Sequence, residues 1–234
     1  MKLTPRLAAA ASLVPKSKVI ADIGTDHGYI PIFLCEEGRT ERAVASDIHK
    51  GPAEKAKEHV AASGMGDRID VRLGGGLLPL CEGEAEGAVI CGMGGLMIAS
   101  ILEEGGKRAD ALQWVVLQPM NHGADLRNWL FTHGWQIEKE ILAEEDRRIY
   151  DVLFCRHGRM APFSPLWAEI GPTRQDFKDP LMEAWLLLLI KKRKAALSAI
   201  LIGEDTEKSR RQKDKLEAEV KELEELIWTY RQKI

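Results

Sequence analysis

Eight residues, Asp22-Ile23-Gly24-Thr25-Asp26-His27-Gly28-Tyr29, follow a short β-branched run and open a helical pattern. A glycine-bearing turn from strand to helix lets a ligand approach the backbone closely. The spacing departs from the G-x-G-x-x-G of dinucleotide sites, because Asp26 stands where that motif sets a glycine against the pyrophosphate. A carboxylate there repels phosphate oxygens and attracts positive charge. S-adenosylmethionine carries a sulfonium and no phosphate, so it suits such a loop; a structural turn without a ligand is the alternative. Asp22, Gly24, Thr25, His27 and Gly28 are therefore candidate cofactor contacts. His27 also reads as a hydrogen-bonded structural residue, and Tyr29 either stacks on a base or packs under the sheet.

Asp47 closes the second β-branched run, with Ile48 beside it. An acid at that place reaches the ribose hydroxyls of a bound nucleoside through two acceptor oxygens. Gly74, Gly75 and Gly76 end the third run and leave room for an adenine ring, or make a flexible turn. The fourth run enters Cys91-Gly92-Met93-Gly94-Gly95 in place of the Asp/Asn-Pro-Pro-aromatic motif of many amine methylases. Gly92, Gly94 and Gly95 would let a target base come near the methyl group, with Met93 packing on it. Gln118, in Gln118-Pro119-Met120-Asn121 after the fifth run, forms the opposite wall. Glycine-rich helix entry and tight turn are the structural alternatives for these two loops.

Elements that hold these loops in one crevice alternate regularly. Strands are expected at Val19–Ile23, Ala43–Ile48, Ile69–Leu73, Ala88–Cys91 and Trp114–Leu117. Helices are expected at Gly28–Glu37, Pro52–Ser63, Leu96–Glu104 and Ala124–His133. Such alternation forces right-handed crossovers and a parallel sheet covered on both faces. Gln136–Leu142 and Ile149–Arg156 read as a closing antiparallel hairpin across 143–148, which makes a mostly parallel seven-stranded, Rossmann-like α/β sheet. Residues 1–160 form this domain. From 161 onward a linker rich in proline leads to helices at Leu181–Ile202 and Glu207–Lys233, around a turn at Gly203-Glu204-Asp205-Thr206 with Asp205 or Thr206 as N-cap. Leu216, Val220, Leu223, Ile227 and Tyr230 recur at heptad spacing, so 161–234 is read as a linker and an antiparallel helical hairpin or coiled coil.

A net charge of −3 argues against a uniformly basic, nucleic-acid-coating surface but leaves room for a local basic patch. From Lys178 onward 13 Lys/Arg face 11 Asp/Glu. Cys35, Cys81, Cys91 and Cys155 form no C-x-x-C pair, and no His spacing suits a metal. Free thiols, no metal, no secretory signal and no apolar run long enough to span a bilayer give the expectation of a cytoplasmic protein without membrane contact.

Together, Asp22 to Pro31, Cys91 to Gly95, Leu117-Gln118-Pro119-Met120, Ile170-Gly171-Pro172 and the terminal hairpin resemble the bacterial tRNA (adenine-22-N1)-methyltransferases, from Thr4-Pro5-Arg6-Leu7 onward. The resemblance implies a class I methyltransferase domain with a helical appendage, S-adenosylmethionine as donor, and methylation of N1 of an adenine in the tRNA D-loop. By position it assigns Asp22, Gly24 and Gly28 to the cofactor loop and Asp47 to the ribose. Those enzymes commonly carry Gly-Asp-Gly after the third strand; Gly75 replaces the acid, which predicts cofactor binding weaker by ~1 kcal/mol for one net hydrogen bond. The adenine N1 lone pair calls for alignment rather than a base. Asp26, Tyr29, Met93 and Gln118 are the candidate catalytic residues: Asp26 accepts from the target amino group, and Tyr29 or Met93 stacks on a flipped base. Lys2, Arg6, Lys16 and Lys18, with Lys191 to Lys194 and the basic residues between Lys208 and Lys215, are expected to hold the tRNA backbone. A small-molecule methyltransferase of the same fold and a non-catalytic cofactor- and tRNA-binding adaptor are the alternatives, and monomer and weak dimer both stay open.

Overall fold

The computed structural model describes residues 1–202 and 206–233 and divides into two compact units, Met1–Phe163 and Ser164–Ile234. In the first, seven strands line up in the order β3-β2-β1-β4-β5-β7-β6. They are β1 (Ser17–Ile23), β2 (Thr40–Asp47), β3 (Ile69–Leu73), β4 (Gly87–Met93), β5 (Trp114–Pro119), β6 (Trp135–Glu145) and β7 (Arg148–His157). The first five run parallel, and β7 pairs antiparallel with both β5 and β6. Five parallel strands and a closing hairpin thus give the expected sheet with one reversed strand.

Helices α2 (Tyr29–Glu36), α3 (Lys50–Ala62), α4 (Gly95–Gly105) and α6 (Gly123–Thr132) are the expected crossovers. Two further helices, α1 (Pro5–Leu13) and the short α5 (Lys107–Asp110), are additions to the sequence reading. Residues 7–11 of α1 are largely alanine, the best helix former, and Pro5 sits in the first turn where its missing N–H costs nothing. Each sheet face buries its own apolar cluster: Ile23, Ile90, Leu117, Leu126 and Leu153 on one side, Ile20, Val89, Val116 and Val152 on the other. Residues alternating along one strand therefore feed both layers, as a doubly covered parallel sheet requires.

β6 and β7 are longer than the sequence suggested, because their connection is two residues rather than six. Asp146 and Arg147 both take positive φ (50° and 61°), the backbone of a primed hairpin turn. Neither is glycine or asparagine, so the usual sequence signal for such a turn is missing. The shortened turn brings Glu145 into the ladder opposite Arg148.

The second unit contains α7 (Pro165–Ile170), a 3-10 turn at Arg174–Asp176, and the long helices α8 (Met182–Ile202) and α9 (Glu207–Lys233). Ion pairs Arg231–Glu183, Lys194–Glu224 and Arg193–Glu219 fix the antiparallel pairing of α8 and α9. Val220, Leu223, Ile227 and Tyr230 of the heptad seam are buried, and Leu216 is half-buried. Gly203, Glu204 and Asp205 of the expected turn lie outside the described residues. Thr206 caps α9: its hydroxyl accepts from Ser209 N–H at 3.1 Å while Ser209 Oγ accepts from Thr206 N–H at 2.8 Å.

Candidate active site

A cavity of about 1000 Å³ opens at the carboxyl ends of β1, β2, β3 and β4. The strand order reverses between β1 and β4, which is where an open α/β sheet leaves a ligand crevice. Its volume lies at the upper end of the range for small-ligand sites.

The first wall is the turn after β1. Gly24 N–H and Thr25 N–H both donate to the Ser46 carbonyl of β2, at 2.8 and 2.9 Å, and fix the loop to the sheet. Gly24 (φ 69°) takes a left-handed conformation, and a side chain there would run into the end of Met93. Asp22 is buried at the bottom of the wall, and Thr25 Oγ1 donates to its Oδ2 at 2.5 Å. Burial pushes the Asp22 carboxyl up to about 7, against the lowering effect of the Thr25 hydrogen bond; nearby Asp47 adds to the rise. A cation placed beside this carboxylate would restore its charge.

Asp26 stands above, its side chain exposed and its backbone left-handed (φ 51°). The Asp26 N–H donates weakly to Asp47 Oδ2 at 3.3 Å, and His49 N–H donates to Asp47 Oδ1 at 2.9 Å. Asp47 is thereby held in the cavity lining with lone pairs to spare. The rings of His27, Tyr29 and His59 stack on one another at 5.1 to 5.5 Å, and His59 Nδ1 donates to the His27 carbonyl at 2.9 Å. His59 lies on α3 and was not among the candidate site residues; its ring neighbours reveal it. Tyr29 lines the cavity and is 37% exposed.

Residues Gly74, Gly75 and Gly76 line the cavity beside Asp47 and Ile48. Pro79 folds over Gly74, and Arg72 holds the Pro79 carbonyl at 2.8 Å, so this glycine run is a braced wall and not a loose turn. Gly92 also lines the cavity. Gly94 and Gly95 serve another purpose than the sequence reading gave them. A side chain at Gly95 would strike the His122 carbonyl and one at Gly94 would meet Asn121 Oδ1 at 2.8 Å, so the loop after β5, with its backbone at Gly95 and the Asn121 side chain at Gly94, fills the space assigned to a target base. Gly95 N–H donates to the Asn121 carbonyl at 2.9 Å and Met120 N–H to the Met93 carbonyl at 2.8 Å, which joins the loops after β4 and β5.

Gln118 is completely buried. Its Oε1 accepts from Arg6 Nη1 at 2.6 Å and from Gly92 N–H at 3.0 Å, and its Nε2 donates to the Pro119 carbonyl at 3.0 Å. The amide is thus spent on holding Arg6 and Gly92. Arg6, expected only as a surface contact for nucleic acid, lines the cavity. Its N–H donates to Glu145 Oε2 at 3.0 Å, and its guanidinium lies 3.6 Å from Glu145 Oε1. Although burial alone would raise it, bonds from Thr4 and Arg6 hold the Glu145 carboxyl below the usual range. Burial pushes the Cys91 thiol up, which keeps it neutral and inert. Lys16 and Lys18, expected with Arg6 to hold the tRNA backbone, flank the start of β1, at the end of the sheet away from the cavity that Arg6 lines.

The described residues contain no group of metal-ligating side chains and no helix long and apolar enough to cross a membrane. A methyltransferase-domain family profile matches residues 3–153. The chain is 38% identical to the tRNA (adenine(22)-N(1))-methyltransferase of Bacillus subtilis over 158 residues, which are 68% of this chain and 66% of that protein. The crystal structure of the B. subtilis M1A22 tRNA methyltransferase TrmK superposes with a TM-score of 0.85 at 31% identity, over 97% of this chain and 99% of that one. Streptococcus pneumoniae Sp1610 in complex with S-adenosyl-L-methionine gives a TM-score of 0.85 at 31% identity, over 97% and 100%.

Proposed function

The chain belongs to the family of bacterial tRNA (adenine-22-N1)-methyltransferases, and from that premise we propose that it methylates N1 of an adenine of tRNA, at position 22. One observation carries the cofactor part: Asp22 and Asp47 line the same cavity, the first a buried carboxylate whose charge a nearby cation would favour, the second held by His49 N–H beside the glycine run. S-adenosylmethionine fits this donor set: Asp22 and Asp26 would hold its cationic groups and Asp47 its ribose hydroxyls. When bound, it supplies an electrophilic methyl group. Thr25 holds Asp22 in place, and Met93, whose end lies over Gly24, covers the loop beside the reacting centre.

On the substrate side, Tyr29 offers a ring backed by His27 and His59, a stack that lowers the freedom of the phenol and makes a stiff platform for a flipped base. Asp26 is placed to accept from the adenine amino group and to offset the positive charge of the methylated product. Gln118 acts through Arg6 and Gly92 as a positioning residue and touches no substrate. With saturating tRNA, Asp26→Ala is expected to lower the methylation rate by about 10²-fold, as for other positioned polar groups, while Tyr29→Phe retains stacking and most of the rate. A normal rate for Asp26→Ala removes it from the reaction.

For tRNA binding, the hairpin is less basic than its sequence suggests. Arg193 is buried between Glu169 and Glu219, and Lys194, Arg211, Lys213 and Lys215 each pair with a glutamate. Among the described residues Lys191, Lys208 and Lys221 have no acidic partner, which leaves them for phosphates. Each replacement by Gln is expected to weaken tRNA binding at every sequence and to flatten the salt dependence by about one ion. An unchanged slope in the triple variant takes the hairpin out of phosphate contact. A tRNA substrate and four unpaired thiols suit a cytoplasmic protein. The deciding experiment is methyl transfer from labelled S-adenosylmethionine to unmodified tRNA, with the product nucleoside identified by mass spectrometry. Appearance of 1-methyladenosine at position 22 supports the reading; cofactor binding without labelled tRNA overturns the substrate.

A further inference from the structure

The far end of the cavity holds an acceptor pair that the cofactor loop does not account for. α4 turns Met97, Ser100, Ile101 and Glu104 toward it, at the one-turn spacing of a single helix face. Ser100 Oγ donates to Glu104 Oε1 at 2.6 Å. Ser100 is the only hydrogen-bond partner of the Glu104 carboxylate among the described residues, so Oε2 is left open at the exposed edge of the cavity. Across from α4 stands the glycine run. The position of a Cβ on Gly76 lies 3.4 Å from Ile101, and that of a Cβ on Gly75 lies 3.1 Å from Ile48 Cδ1. Helix and loop are therefore close neighbours, yet the loop itself contributes no side-chain acceptor. Ile48, Leu78 and Met97, all exposed apolar residues of the cavity lining, supply flat contacts for a ring.

An adenine nucleoside whose ribose met Asp47 would find its base between the glycine run and α4, which line the same cavity. The base presents an exocyclic amine, a donor that an apolar wall and three glycines cannot satisfy with side chains. We propose that Ser100 and Glu104 read that amine, and so make the site selective for an adenine over an oxo-purine cofactor. The proposal rests on the S-adenosylmethionine reading above. Glu104 accepts one amine hydrogen through Oε2, and the Ser100 hydroxyl keeps the carboxylate turned inward. An oxo group in the same place would face a carboxylate with no proton between them, which is repulsive.

The test is calorimetric binding of S-adenosylhomocysteine and of its inosine counterpart, in which an oxo group replaces the amine. The wild-type protein is expected to prefer the adenine form by about tenfold or more, the effect of one charge-assisted hydrogen bond. Glu104→Ala is expected to lose that preference, binding the adenine form about tenfold more weakly and the inosine form no worse. Glu104→Gln, whose amide can donate to the oxo group, should shift the preference toward inosine. Glu104 is exposed, so these variants are expected to melt as the wild type does. A preference that survives in Glu104→Ala, or one missing from the wild type, overturns the proposal while the cofactor reading stands. Failure of the wild type to bind S-adenosylhomocysteine at all overturns both.

Discussion

Asp22→Asn is expected to make the protein more stable at about pH 8 and at the same time to weaken S-adenosylmethionine binding by about 10- to 100-fold, the range for a hydrogen-bonded charge. Both effects come from one buried carboxylate. In the folded chain Asp22 titrates at about 7, above the 3.8 of an unperturbed aspartate, because burial penalises its charge. Between those two values the folded state holds a proton that the unfolded chain has released. Its contribution to stability is fully present below the unfolded value and is lost as pH rises through about 7. Asparagine removes that loss and can still accept from Thr25. The cofactor's cation reverses the preference by favouring the ionised form. Wild-type affinity should therefore fall as pH drops below about 7, with a proton released on binding. Melting curves and calorimetry in buffers of different ionisation enthalpy check both signs. An Asp22→Asn protein that melts lower and binds normally would mean that the carboxylate is a structural anchor only.

Arg127→Met is expected to destabilise the first unit by about 3–5 kcal/mol, the cost of leaving buried carboxylates unpaired. Arg127 is completely buried on α6, with Nε donating to Glu140 at 2.7 Å and Nη2 to Asp151 at 2.8 Å. Burial works against its charge, but Asp151 and Glu140 hold the guanidinium protonated well above its usual range. One cation between two acids ties α6 to both strands of the hairpin. Replacing all three by Met, Leu and Leu should recover most of the loss, because a buried ion cluster gives little net stability over apolar packing. Urea titrations of the single and triple variants separate these cases, and equal losses in both would show that shape, not charge, matters there.

Much of the fold was legible because its signals are local. Short β-branched runs, separated by helical patterns, located the five parallel strands and four of the crossovers to within a few residues. What escaped depends on partners distant in sequence. The alanine run at 7–11 identifies a helix only once it packs on the sheet, where Ala10, Ala11 and Val14 are wholly buried. Arg6 looked like a surface cation because Glu145 and Gln118, more than 100 residues away, draw it to the cavity. Gly94 and Gly95 looked like space for a ligand because a missing side chain does not say what occupies its place. His59 had no motif to mark it.

The two-residue turn at Asp146–Arg147 reaches further than its position at the rim of the sheet suggests. Glu145, the last residue before it, grips Arg6, which in turn holds Gln118 and stands beside Gly92. Strand residues alternate between faces, so one residue added to or removed from this turn would rotate Glu145 to the opposite face. Hairpin tips are commonly the sites where evolving chains accept length changes. This one behaves as a gauge block for a cavity wall, so chains that keep Arg6 and Glu145 are expected to vary in the letters of the turn, among residues that accept positive φ, and not in their number.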